Sequence, residues 1–162
     1  MKPTNFEIRE ARFPEDAPLA LRFIMGLQRY ERAFEPHRRI DTHVAKDYLA
    51  VLRERADKNG RILIAQNKTG EALGWAVVHE DKEEIYVVPE ERCYARINEL
   101  YVESEGRGRG VGRVLIAACE DWARGRNYKQ VMIGACSENA LAMGVYQGLG
   151  YTPYTSDLRK YL

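Results

Sequence analysis

Hydrophobic residues recur at helical spacing in four stretches of the chain, with short alternating or continuous apolar runs between them. Residues 14–32 open with Pro14 and acidic side chains and carry Leu19, Phe23, Leu27 and Tyr30 on one helical face. Residues 41–58 start on Asp41, a capping residue type, and align Val44, Tyr48 and Leu52 before stopping near Asn59-Gly60. Residues 110–126 align Val111, Leu115, Ala118 and Trp122, and residues 138–147 form a short helical pattern that stops at Gly148. Strands are predicted at 5–11, 61–66, 72–81, 92–102 and 128–135, the second and third joined as a hairpin by the turn 67–71. Weaker strand patterns lie at 85–88 and in the closing segment 151–162. The order is strand, two helices, three strands, helix, strand, helix, strand. It predicts an α/β domain with an antiparallel front and a more parallel back. No repeat, low-complexity tract or linker interrupts residues 1–162, so a single domain is expected.

Composition narrows the function classes. The 162 residues carry a net charge of only +1, which gives no general attraction to nucleic acid or an anionic membrane; any anion site must be local. The start has no apolar leader, and the apolar run 114–119 is far short of a membrane span. Cys93, Cys119 and Cys136 form no CxxC pair and read as buried reduced thiols, which points to the cytoplasm. His37, His43 and His79 lack metal-ligand spacing and read as surface residues, so no metal is expected. His37 stands apart because it falls between the first two helices.

The densest chemical signal is RGRGVG at 107–112, which puts three glycines and two arginines at a helix start. The first N–H groups of a helix have no intrahelical partners and sit at the positive end of its dipole. Glycines admit a bulky anion to those groups, and Arg107, Arg109 and Arg113 surround them with mobile positive charge. The pattern points to a phosphate or pyrophosphate. It is not a Walker loop, and it is not GxGxxG, because Arg113 stands where the third glycine belongs. RGG-type RNA-binding segments are usually longer and disordered.

Arg-x-x-Gly-x-Gly, at Arg107, Gly110 and Gly112, resembles a signature of the GNAT superfamily of acyl-CoA N-acyltransferases. A second segment, NALAMGVYQGLGY, is similar to that family's later signature at Asn139, Ala142, Val145, Tyr146, Gly150 and Tyr151. The two lie about 30 residues apart in the family's order, and the element order fits along essentially the whole chain. The resemblance implies a GNAT fold: a mixed central sheet of about six to seven strands, helices on both faces, and fourth and fifth strands that splay apart. It also implies acetyl-CoA as cosubstrate, held at Arg107, Gly108, Arg109, Gly110, Val111, Gly112 and Arg113. The pantetheine arm would pair with main-chain groups of Leu100, Tyr101 and Val102, and Asn139 would bind the same arm.

Within that implied activity three chemical tasks need residues. Tyr146 fills the family position for protonating the departing thiolate. The Val102 N–H is the expected oxyanion donor. Glu99, three residues earlier, is the best-placed carboxylate to take the acceptor's proton, directly or through water; its neighbour Asn98 cannot do so. The reaction the resemblance implies moves an acetyl group from acetyl-CoA to a primary amine, on a small molecule or a peptide, by direct attack in a ternary complex. Tyr30 and Glu31 match, faintly, a Tyr-Glu pair of diamine and polyamine acetyltransferases. Glu31, Glu35, Glu83, Glu84 and Glu99 would line a site for a cation, whereas Arg38 and Arg39 would select a carboxylate-bearing amine. The alternative function is a catalytically inactive CoA-binding module. Relatives often dimerise, and the tyrosine-rich C-terminal strand would offer an edge for a homodimer.

Overall fold

The computed structural model describes residues 6–162, so Asn5 and most of the predicted leaderless start lie outside the described residues. Among the described residues, five strands form one sheet in the order β1-β2-β3-β4-β5. They are β1 (Phe6–Glu10), β2 (Gly60–Asn67), β3 (Ala72–Lys82), β4 (Cys93–Val102) and β5 (Val131–Ile133). The first three junctions are antiparallel, and β4 pairs with β5 in parallel. The antiparallel front and parallel back therefore follow the apolar pattern.

Helices α1 (Ala17–Glu31) and α2 (Thr42–Asn59) cover one face, and α4 (Val111–Gly125) covers the other. Phe23, Ile24, Leu49 and Leu52 pack on Trp75 and Val77 of the first face; Leu115, Ile116 and Cys119 pack on Val78 and Ile97 of the second. Because both faces are covered, β3 buries seven consecutive residues, Leu73 to His79. Asp41 caps α2 by accepting a 2.9 Å bond from the Val44 N–H. Two short helices complete the set: α3 (Pro89–Arg92) and α5 (Ala140–Gln147).

The sheet has five described strands rather than six or seven. Residues 85–88 form an exposed loop: Arg92 donates to the Ile85 and Val87 carbonyls at 2.9 Å, which folds the segment on itself, and Pro89 opens α3 directly after it. Residues 151–162 contain no strand, and nearly all are exposed. Pro153 lacks an N–H for a ladder, so the predicted dimer edge is not built there. His79, expected at the surface, is buried on β3, its Nδ1 2.8 Å from the Glu80 carbonyl. Of the cysteines, Cys119 is buried, while Cys93 and Cys136 are only half-buried.

Two features of β4 shape the site. First, β5 pairs only with Ala95, Arg96 and Ile97, so β4 runs on to Val102 with that edge open. The expected divergence of the fourth and fifth strands is present. Second, the register between β3 and β4 skips Asn98: Val78 opposes Ile97 and Val77 opposes Glu99. This bulge inserts one residue and reverses the alternation of faces. Ala95 and Ile97 face α4, and beyond the bulge so do Leu100 and Val102. Asn98 and Glu99 both turn toward α2, and Tyr101 packs with the α1 cluster.

Candidate active site

The glycine segment leaves β4 through a short 3-10 turn at Ser104–Gly106 and enters α4. Gly108 (φ +70°) and Gly110 (φ +89°) adopt left-handed backbone, which side-chain-bearing residues enter at a cost. An added Cβ at either would meet nothing within 4 Å, so the loop faces open space. Gly110 precedes α4 without any side-chain cap. The N–H groups of Val111, Gly112 and Arg113 therefore project unclaimed from the helix start, as a pyrophosphate site requires.

Beside the loop lies the open edge of β4. The Glu103 N–H donates to Leu73 on β3, 2.8 Å away. Strand alternation then turns the main-chain groups of Leu100 and Val102 to the other edge, where β5 has ended. Arg107 reads this edge: its Nε donates to the Val102 carbonyl at 3.0 Å, and its guanidinium lies over the rings of Tyr30 and Tyr101. Tyr101 differs from its neighbours. Its main-chain groups face β3, and its ring lies beside Phe23, 6.0 Å between centroids. Of the three residues expected to pair with an extended ligand, Leu100 and Val102 thus turn main-chain groups to the open edge and Tyr101 does not.

Glu99 is 5% exposed. Burial pushes its pKa up to about 7, with nearby Glu31 adding to the rise, while a hydrogen bond from Tyr48 and the charges of Arg38 and Arg55 oppose it. The Tyr48 hydroxyl donates to Glu99 Oε1 at 2.6 Å. Glu99 Oε2 is buried and has no partner among the described residues. A group poised between its two protonation states near pH 7, with one oxygen unclaimed, suits proton transfer.

Tyr146 stands half-buried on α5, and its hydroxyl makes no hydrogen bond among the described residues. Burial pushes its pKa up to about 12, with Glu31 and Tyr30 adding to the rise. The phenol thus stays protonated and able to donate. Asn139 does not lie on the helix with Tyr146. It is the N-cap of α5: its Oδ1 accepts from the Ala142 N–H at 3.2 Å, and the Tyr30 hydroxyl donates weakly to the same oxygen at 3.4 Å. Asn139 is itself buried.

The acidic lining is partly assembled. Glu31 is half-buried and ion-paired to Arg38 at 2.7 Å; burial raises its pKa, opposed by Arg38. Glu35 is bonded by the same guanidinium at 2.5 Å, which lowers its pKa. Glu83 and Glu84 follow the Lys82 end of β3, which pairs with Cys93. Six residues of strand, roughly 20 Å, separate that end from Glu99, so they do not join the site. Arg39 pairs with Asp41 at 3.0 Å and stays largely exposed. A cavity of about 340 Å³ opens between α1 and α2, lined by Met25, Gln28, Arg38, Val44 and Tyr48 among others.

Sequence reading missed Tyr48, which carries the apolar spacing of a core position; only its contact with Glu99 distinguishes it. Arg38, expected with Arg39 to face a carboxylate-bearing amine, is instead ion-paired to Glu31 and Glu35. Among the described residues no group of three or more His, Cys, Asp or Glu side chains is arranged to hold a metal ion, and no helix is long and apolar enough to cross a membrane.

The sequence profile of the acetyltransferase (GNAT) family matches residues 25–151. No curated protein sequence matches the chain. Among solved structures, the fold is similar to a mutant of the BH1408 protein from Bacillus halodurans (TM-score 0.78, 15% identity, covering 96% of this chain and 99% of that one). It is also similar to an aminoglycoside 6'-N-acetyltransferase from Acinetobacter haemolyticus (TM-score 0.72, 15% identity, 96% and 97% covered). A third is glucosamine-6-phosphate N-acetyltransferase from Arabidopsis thaliana (TM-score 0.67, 16% identity, 96% and 97% covered).

Proposed function

This chain belongs to the acetyltransferase (GNAT) family, and on that premise we propose that residues 1–162 act as one N-acetyltransferase domain that moves an acetyl group from acetyl-CoA to a primary amine. The observation that carries the reading is the buried Glu99 carboxylate, with one oxygen unclaimed, on the strand whose edge stands open beside the α4 glycine loop. Acetyl-CoA supplies the acetyl thioester. The unpaired N–H groups at Val111–Arg113 and the charges of Arg107, Arg109 and Arg113 suit its pyrophosphate, and the open edge at Leu100 and Val102 suits its amide-bearing arm.

The roles then divide by chemistry. Glu99 takes a proton from the ammonium form of the acceptor, because most amines are charged at pH 7. The neutral nitrogen attacks the thioester carbon, and the Val102 N–H stabilises the developing oxyanion. As the C–S bond breaks, the Tyr146 phenol gives its proton to the departing sulfur, and the second proton, shed by the acylated nitrogen as the amide forms, returns through water to the Tyr146 oxygen. No covalent acyl-enzyme is involved. Tyr30, Glu31 and Glu35 line the acceptor side, where Arg38 tempers their negative charge.

The test is a CoA-release assay with acetyl-CoA against polyamines, amino acids, aminoglycosides and peptides with a free N-terminus. Turnover on at least one amine is expected, lost in Glu99→Gln at pH 6.5. A chain that binds acetyl-CoA, as read by a raised melting temperature, but acetylates no amine is a CoA-binding module without catalysis.

A further inference from the structure

We propose that Tyr48 is the positioning residue of the acid–base step, aiming Glu99 Oε2 at the acceptor by holding Oε1 in a hydrogen-bonded chain anchored through Asn98. The inference rests on the reading of Glu99 as the proton acceptor and adds the groups that make it serve as one.

The chain of bonds follows from the β4 bulge. Without an extra residue at Asn98, strand alternation would give Asn98 and Glu99 opposite faces. The bulge turns both toward α2, where Tyr48 lies half-buried. The Tyr48 hydroxyl donates to Glu99 Oε1 at 2.6 Å and accepts from Asn98 Nδ2 at 2.9 Å. Asn98 Oδ1 in turn accepts from the exposed Arg55 guanidinium at 2.9 Å, which fixes the amide's orientation. Each hydrogen-bonding group of Tyr48 is thereby committed, and the hydroxyl has one direction in which to donate.

The chemical choice of partner matters. An arginine or lysine on Oε1 would hold Glu99 as a carboxylate far below neutral pH and leave it a weak base. A neutral hydroxyl orients the group, partly offsets its burial, and leaves Oε2 free. Other groups facing Glu99 are Glu31 on α1, Arg38 beyond α1, and Arg55 on α2; His79 of β3 reaches Asn98 Oδ1 at 3.5 Å. All of them stay in place when only the Tyr48 oxygen is removed.

The experiment is an NMR titration of the protein labelled with ¹³C at glutamate carboxyls, with no acceptor present, on the parent chain, Tyr48→Phe, Asn98→Ala and Glu99→Gln. The parent is expected to show a carboxyl titrating near neutral pH that Glu99→Gln removes. Tyr48→Phe should move that titration upward by about one pH unit, since the anion loses a charge-assisted bond. Asn98→Ala should move it the same way by less. An unchanged titration in folded Tyr48→Phe overturns the positioning role; if that variant does not fold, an unchanged titration in Asn98→Ala does so.

Kinetics on the panel amine acetylated fastest then separate the two readings. The acid limb of kcat/KM should follow the titration upward in Tyr48→Phe, with KM for acetyl-CoA unchanged. A titration that moves while the limb stays fixed means that Tyr48 orders Glu99 but Glu99 is not the base. A limb that Glu99→Gln abolishes, with a titration that Tyr48→Phe leaves unmoved, keeps the base and removes Tyr48.

Discussion

The two halves of the candidate site are built by different means. The α4 entrance is made of main chain: two glycines with positive φ, an uncapped helix start, and an open strand edge. The Glu99 side is made of side chains from four places, namely Tyr48 on α2, Glu31 on α1, Arg38 beyond it and Asn98 on the bulge. The first half is open to solvent, and its shape rests on backbone that demands glycine, with arginine charges around it. The second is half-buried around a buried Glu99, whose polar atoms need a partner or remain costly. A site of the first kind binds a ligand that carries its own charge, whereas one of the second kind tunes a proton.

The largest effect should come from Tyr146 of α5, the proposed general acid, which lies near Glu31 of the second half. Tyr146→Phe keeps the ring and its contact with Tyr151, 6.3 Å between centroids. Its turnover should fall roughly 10²–10⁴-fold if general acid catalysis carries its usual share, with acetyl-CoA affinity nearly unchanged. Steady-state rates with donors of graded thiol acidity check this, because the loss should shrink as the leaving thiol becomes more acidic. An undiminished rate in the folded variant would remove Tyr146 from the chemistry.

On the main-chain half, Gly110→Asp places a side chain at φ +89° and a negative charge at the anion site. Affinity for acetyl-CoA should drop at least about tenfold, read by isothermal titration calorimetry. Conversely, Gly110→Asp should leave the Glu99 carboxyl titration where it is; a shift there would show that the two halves are not separable.

Stability offers a smaller and independent contrast. Glu99 keeps its proton in the fold up to about pH 7, above the ordinary 4.5. The folded state binds that proton more tightly than the unfolded chain, so this contribution is full below about 4.5 and is lost as pH rises through 7. Glu99→Gln removes the titration. Its melting temperature relative to the parent should therefore rise by roughly 5 °C between pH 5 and pH 8, measured by calorimetry. A pH-independent difference would mean that the carboxyl is not strained by burial.

The smallest effect concerns acceptor charge. Arg38→Gln removes the cation between Glu31 and Glu35. KM for a dicationic amine should fall roughly twofold to fivefold, the magnitude of a solvent-screened ion pair, and KM for a carboxylate-bearing amine should rise. Equal changes for both classes would place Arg38 outside acceptor recognition.

Much of the architecture was legible along the chain. Asp41 as the cap of α2, the hairpin around residues 67–71, β4 to Val102 and α4 after Gly110 all follow from local signals: a capping side chain, a turn composition, an apolar run, a glycine start. The open backbone of the glycine loop before α4, the proposed anion site, is equally legible because its residues are contiguous. Two predicted strands failed because local apolarity does not supply a partner. Residues 85–88 are tied by Arg92, and residues 151–162 find no neighbouring strand.

What the sequence by itself determined is therefore what a strong local signal carries: the order of the long elements, the cap of α2 and the glycine loop before α4. Tertiary structure decided the rest, because a buried proton site depends on distances between residues remote in sequence. Tyr48 and Glu99 are 51 positions apart and 2.6 Å from oxygen to oxygen. The one-residue bulge at Asn98 turns both polar residues to α2. Nothing in the alternation of β4 announces that bulge, since an inserted residue is recognised only against the strand it fails to match.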